Sequence, residues 1–121
     1  MENLQVGDLT IELAVTADRV FQCTWRGKSN ERNPPETLKP WFDKLLAAVT
    51  EQKGVVEMHF EKIEHFNSST ITALIRLIQS CRKTSVKLVM VYDQTLKWQR
   101  LSFDALRVFE KNDDLFHLRS A

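Results

Sequence analysis

Between positions 65 and 75 the chain reads His65-Phe66-Asn67-Ser68-Ser69-Thr70-Ile71-Thr72-Ala73-Leu74-Ile75. Hydroxyl side chains and one amide crowd the point where a strand-like run gives way to a helical apolar pattern. Three kinds of chemistry suit such a cluster. The first is capping, because side-chain oxygens of Ser, Thr, Asp and Asn accept the free N–H groups of a helix's first turn. The second is nucleophilic attack by a serine. The third is phosphorylation: the same N–H groups and the positive end of the helix dipole hold an anion, so a phosphoserine there is stabilised by the helix. A cap needs one residue, and a run of hydroxyl and amide residues exceeds that need.

No other stretch competes with this one. The three glycines, Gly7, Gly27 and Gly54, lie far apart, so no glycine loop is present to cradle a nucleotide phosphate. No GxSxG elbow exposes a strained serine. His59, His65 and His117 form no HExxH. His59 with Glu61, or His65 with Glu64, could offer ligands, but exposed polar residues on a strand edge are the simpler reading. No metal and no cofactor are expected, nor is hydrolase or transferase turnover. Trp25, Trp41 and Trp98 are not interleaved with basic residues, which favours core or interface over a base-stacking platform. The net charge of +1 argues against duplex nucleic acid, which is usually met by a basic face.

The elements that must position the serine cluster follow from patterning. Leu9, Ile11, Leu13 and Val15 alternate with polar or small residues, giving a half-buried strand. A second strand over Arg19–Trp25 pairs with it as a hairpin, and Gly27 ends it. Lys28–Glu36, with Pro34 and Pro35, reads as a loop. Leu38, Phe42, Leu45, Leu46 and Val49 recur at helical spacing. Pro40 is tolerable there if the helix starts near Thr37, because first-turn N–H groups have no intrahelical partner. Strands follow at 55–60 and 86–92, the latter apolar enough to be covered on both faces. A second helix over 69–83 carries the stripe Ile71, Leu74, Ile75 and Ile78. A third, over 95–111, carries Leu101, Ala105, Val108 and Phe109, with a break near Ser102 as an option. Residues 115–118 suggest an edge strand. The order β-β-α-β-α-β-α-(β) predicts an α/β sandwich with a mixed central sheet.

At 121 residues, 43% hydrophobic and 27% charged, the chain suits one globular domain spanning 1–121. Cys23 and Cys81 form no CxxC pair and read as buried thiols in a reducing compartment. The first ten residues have neither the basic nor the apolar part of a signal peptide. No run approaches the roughly 18 apolar residues of a membrane span. A cytoplasmic protein without membrane insertion is expected.

Taken with its neighbours, the cluster resembles the STAS domain of bacterial anti-sigma-factor antagonists and of related modules on transporters. In that family a strand ends in an apolar-Asp-Ser-Ser/Thr-Gly-Leu-Gly pattern that opens a helix. Here the run is Phe66-Asn67-Ser68-Ser69-Thr70-Ile71-Thr72, followed by Leu74. The next family strand corresponds to Ser85–Tyr92, and the closing segment to Asn112–Leu118, so the resemblance covers about 54–118. It implies a STAS-like fold and a non-enzymatic signalling module. It also implies a protein partner: a kinase-like anti-sigma factor, a phosphatase or a transporter subunit. Ser69 would accept the phosphate, with Ser68 its neighbour. Asn67, Thr70, Thr72, Arg76 and Gln79 would belong to the partner surface, with Lys83 further along the same helix face. The family's Asp is Asn67 here, which removes a carboxylate beside the acceptor. Its two glycines are Thr70 and Thr72, which add bulk where a kinase must approach. A second reading therefore stands beside the switch, a constitutive and unphosphorylated subunit of a larger assembly such as a transport ATPase. On the first reading, one of the two serines caps the helix and the other stays open.

Overall fold

A computed structural model describes all 121 residues, Met1–Ala121. The elements are β1 (Leu4–Val6), β2 (Leu9–Val15), β3 (Val20–Ser29), α1 (Pro34–Gln52), β4 (Val55–His59), β5 (Ile63–Phe66), α2 (Ser68–Lys83), β6 (Leu88–Tyr92), α3 (Lys97–Leu106) continued by a 3-10 turn (Arg107–Phe109), and β7 (Phe116–Ser120). The chain is an α/β fold with a mixed seven-stranded sheet in the order β1-β2-β3-β4-β6-β7, and with β5 also paired to β3. β1–β2–β3 is an antiparallel meander. The pairs β3–β4, β3–β5, β4–β6 and β6–β7 are all parallel.

Strand alternation places Leu9, Ile11, Phe21, Cys23, Trp25, Val56, Met58, Leu88 and Met90 in one core cluster with the buried residues of all three helices. The helices therefore share one face of the sheet. Residues of opposite parity, such as Glu12, Gln22, Thr24, Glu57 and His59, are exposed or half-buried. β6 is covered on both sides only in part. Val91 is buried, yet it lies outside the main core cluster, in register with His59 and Arg119 on the outer face.

Several boundaries differ from the sequence expectation, each for a local reason. β3 runs past Gly27 to Ser29, because Gly27 adopts φ +83 and absorbs a register shift within the strand. A Cβ there would meet the Asp8 carbonyl at 2.1 Å. α1 starts at Pro34, not near Thr37. Pro34 and Pro35 hold the first helical positions, where fixed φ helps and a missing N–H costs nothing. Pro40 consequently lies inside the helix, exposed to solvent. α3 is shorter than 95–111 and tightens into the 3-10 turn after Leu106.

β4 and β5 occupy the same side of β3, one after the other. The chain leaves the sheet at Phe60–Lys62 and rejoins β3 at Gly27–Ser29. The Asn67 N–H donates to the Ser29 carbonyl at 3.1 Å. This places the start of α2 against the end of β3.

Candidate functional site

α2 begins where β5 ends, and its N-cap is Asn67, in extended conformation. The Asn67 Oδ1 accepts from the Thr70 N–H at 2.9 Å and from the Thr70 hydroxyl at 2.9 Å. The Asn67 Nδ2 donates to the Glu31 carbonyl at 3.0 Å. The side chain thus acts as acceptor at one end and donor at the other. An aspartate could cap but could not donate to Glu31, which gives a physical reason for an amide at this position.

Thr70 is fully buried. Its hydroxyl lies 2.8 Å from the Ser29 hydroxyl, and Ser29 is buried too. This corrects two expectations. Thr70 does not belong to a partner surface, and its bulk does not stand in the way of an approaching enzyme, because it points inward. Neither serine is the cap. Asn67 does that work, with Thr70 as the donor it serves, so Ser68 and Ser69 are left as first-turn residues outside the capping role. Ser68 is exposed and Ser69 half-buried.

Beyond the first turn, Thr72, Arg76, Gln79 and Lys83 are exposed, as the helical spacing predicted. The buried face is centred on Thr70, Ala73, Leu74, Leu77, Ile78 and Cys81. Ile71 and Ile75 are only half-buried along its edge. Between α2 and α1 runs an open cleft of about 300 Å³. Its apolar floor is Phe42, Leu46, Ala73 and Leu77, and Arg76, Gln79 and Lys83 form the α2 rim. On the α1 rim Lys39 is paired with Asp43 at 2.7 Å. No local pattern announces this cleft, because its two walls come from separate helices, Phe42 and Leu46 on α1 and Ala73 and Leu77 on α2.

His65 and Glu64 are exposed on β5; the other candidates are engaged in structure. The two ring nitrogens of His59 lie 2.8 Å from Glu57 and 3.4 Å from Glu61. No group of three or more His, Cys, Asp or Glu is arranged to hold a metal ion. Trp25 donates to the Met58 sulfur at 3.1 Å and Trp41 to the Glu2 carbonyl at 2.9 Å. Trp98 is half-buried, its ring 5.1 Å from that of Phe66. Cys23 and Cys81 are free and buried, and burial pushes both thiols up to about 12. At neutral pH they carry almost no thiolate, the reactive form.

Sequence reasoning missed Gln99. It is fully buried, accepts from the Asp93 N–H at 2.8 Å and donates to the Phe60 carbonyl at 2.7 Å. It fastens α3 to the segment that precedes β5, and so supports the site from behind.

No helix is long and apolar enough to cross a membrane. A scan against models of known protein families finds no match, and a search of curated proteins finds none either.

Proposed function

We propose that this chain is a non-enzymatic binding module whose partner docks on the outer face of α2 and is released by phosphate on the Ser68-Ser69 pair. The observation that carries this reading is the division of labour at the start of α2. Asn67 caps the helix, and two adjacent hydroxyls are left without that duty. Ser69 is the acceptor by resemblance to the STAS pattern, and Ser68 is the more open of the two.

Phosphate adds about −1.5 to −2 charge at neutral pH. At the first turn of α2 that charge meets the positive end of the helix dipole, so the fold tolerates it. At a docked interface it is desolvated, and without an opposing cation this costs several kcal/mol. The partner leaves while the module stays folded. Thr72, Arg76 and Gln79, together with the apolar floor of the cleft, form the docking surface on this reading. The partner's chemical class is a kinase-like regulator, a phosphatase or an assembly subunit, and the module works in the cytoplasm.

The test has two parts. Mass spectrometry of the protein from its own host should locate phosphate on Ser69 or Ser68. Affinity capture should then recover a partner with the parent, and Ser69→Asp or Ser68→Asp should weaken that binding more than tenfold, or about 1.4 kcal/mol. Absence of phosphate, together with unchanged binding by both aspartate variants, sinks the switch. The constitutive subunit would then be the better reading.

A further inference from the structure

The outward face of α3 and of the 3-10 turn that continues it carries Leu101, Ala105 and Val108 at spacings of four and three, the period of a helix–helix seam. All three are exposed. Leu101 is 58% and Val108 74% accessible, the two largest values among the molecule's exposed large hydrophobic residues. The sequence pattern marks them as a core stripe, yet Gln99, Phe103 and Leu106 take the core instead. A stripe with core spacing is therefore left without a neighbour.

We propose that this face is covered by α3 of a second copy of the chain, packed antiparallel about a two-fold axis at Ala105. Three features support a copy of itself as the occupant. The first is the size pattern, large–small–large. Antiparallel pairing sets Leu101 against Val108 of the second copy at both ends, and the small Ala105 at the centre lets the helices approach. A two-fold contact requires this kind of self-complementarity.

The second feature is charge. Lys97 and Arg100 stand in the first turn of α3 and make no ion pair within the chain. That is the unfavourable end of their own helix dipole. In the antiparallel pair they lie beside the C-terminal end of the other helix, where the free carbonyls and the Glu110 carboxylate, shared with Arg107, can receive them. The third feature is Arg107, which is held by the Tyr92 hydroxyl at 3.0 Å and by Glu110 at 3.2 Å and reaches half-exposed Asp104 only at 3.5 Å. It flanks the seam near the axis, where the two copies can exchange partners. A net charge of only +1 opposes association little. The inference is independent of the serine switch, which lies on α2.

Sedimentation velocity over about 5–500 µM tests it, since a contact made mainly by one helix sits at the weak end of specific interfaces. The mass of the parent should rise from 14.1 kDa toward twice that value. Leu101→Glu and Val108→Glu should each weaken association at least tenfold, with a melting temperature unchanged at the dilute end where the parent is monomeric, because both positions are exposed in the single chain. Under oxidising conditions Ala105→Cys should form a disulfide-linked dimer. Lys97→Cys should not, because two turns of helix on either side of the axis separate its copies by about 24 Å. A parent that remains at 14.1 kDa throughout overturns the proposal. So does a dimer indifferent to both glutamate variants, or one that cross-links through position 97 in preference to 105.

Discussion

α2 meets the core with Leu74, Leu77 and Ile78 and turns Thr72, Arg76 and Gln79 to solvent. α3 meets the core with Gln99, Phe103 and Leu106 and, with the 3-10 turn that continues it, turns Leu101, Ala105 and Val108 out. In one helix polarity decides the facing; in the other it does not. What rotates α3 is a set of specific contacts. The Phe103 ring stacks on Tyr92 at 5.1 Å and packs on Phe60 at 5.0 Å. Gln99 supplies the hydrogen bond that the Asp93 N–H would otherwise lack, and adds a second to the Phe60 carbonyl, which also accepts from the Ile63 N–H. A buried amide that pairs two backbone groups is worth more inside than an aliphatic side chain that leaves a buried N–H unpaired.

The contrast can be broken by reversing the weight of the two faces of α3. Phe103→Ala should destabilise the fold by about 3–5 kcal/mol, whereas Leu101→Ala should stay within about 0.5 kcal/mol. Equal effects in chemical denaturation would mean that the stripe is packed and the assignment of faces is wrong. Gln99→Leu comes next. It keeps the bulk but orphans the Asp93 N–H, at about 1–3 kcal/mol, and a neutral result would show that packing alone orients the helix.

At α2 the corresponding probe is the cap. Asn67→Ala should cost about 0.5–2 kcal/mol, while Ser68→Ala should change stability by less than about 0.5 kcal/mol. A larger loss at Ser68 would return the capping role to the serine and leave no free hydroxyl pair.

The smallest effect concerns the join between the two helices. Arg82, near the end of α2, donates to Asp113 and, at 2.9 Å, to the Phe109 carbonyl that closes α3. The hydrogen bond from Arg82 holds the Asp113 carboxyl down at about 2, below its usual 3.8. A depressed carboxylate contributes stability above its unfolded value and loses it as the pH falls through the folded one. A slight fall in melting temperature is therefore expected between pH 3.8 and 2. Asp113→Asn should remove that segment of the pH profile, and an unaltered profile would show that the contact adds nothing.

These differences also explain what could be read in advance. The alternation of β2, the apolar runs of β4 and β6 and the spacing of α1 and α2 are local patterns, and they gave the fold class. β1 has three residues and β5 four, too few for a period of two to stand out. The place of α2's first turn was legible from its small polar residues. Which of them caps was not, because the partners that settle it, Ser29 and Glu31, lie 41 and 36 positions away from Thr70 and Asn67. For α3 the local pattern misled, because Gln99 is polar by type and becomes a core residue only through contacts with Asp93 and Phe60.

β7 closes the sheet at its far edge. Ala121 donates inward to Tyr92, so by alternation the Leu118 N–H turns outward. There Glu110 Oε2 accepts it at 3.1 Å. Open strand edges invite other chains to add on, and proteins commonly obstruct them with a charge. One carboxylate thus occupies an outward-facing donor of this edge. Glu110→Ala is expected to leave the fold intact and to shorten the time for which the protein stays in solution, read as turbidity on storage at concentrations where the parent stays clear.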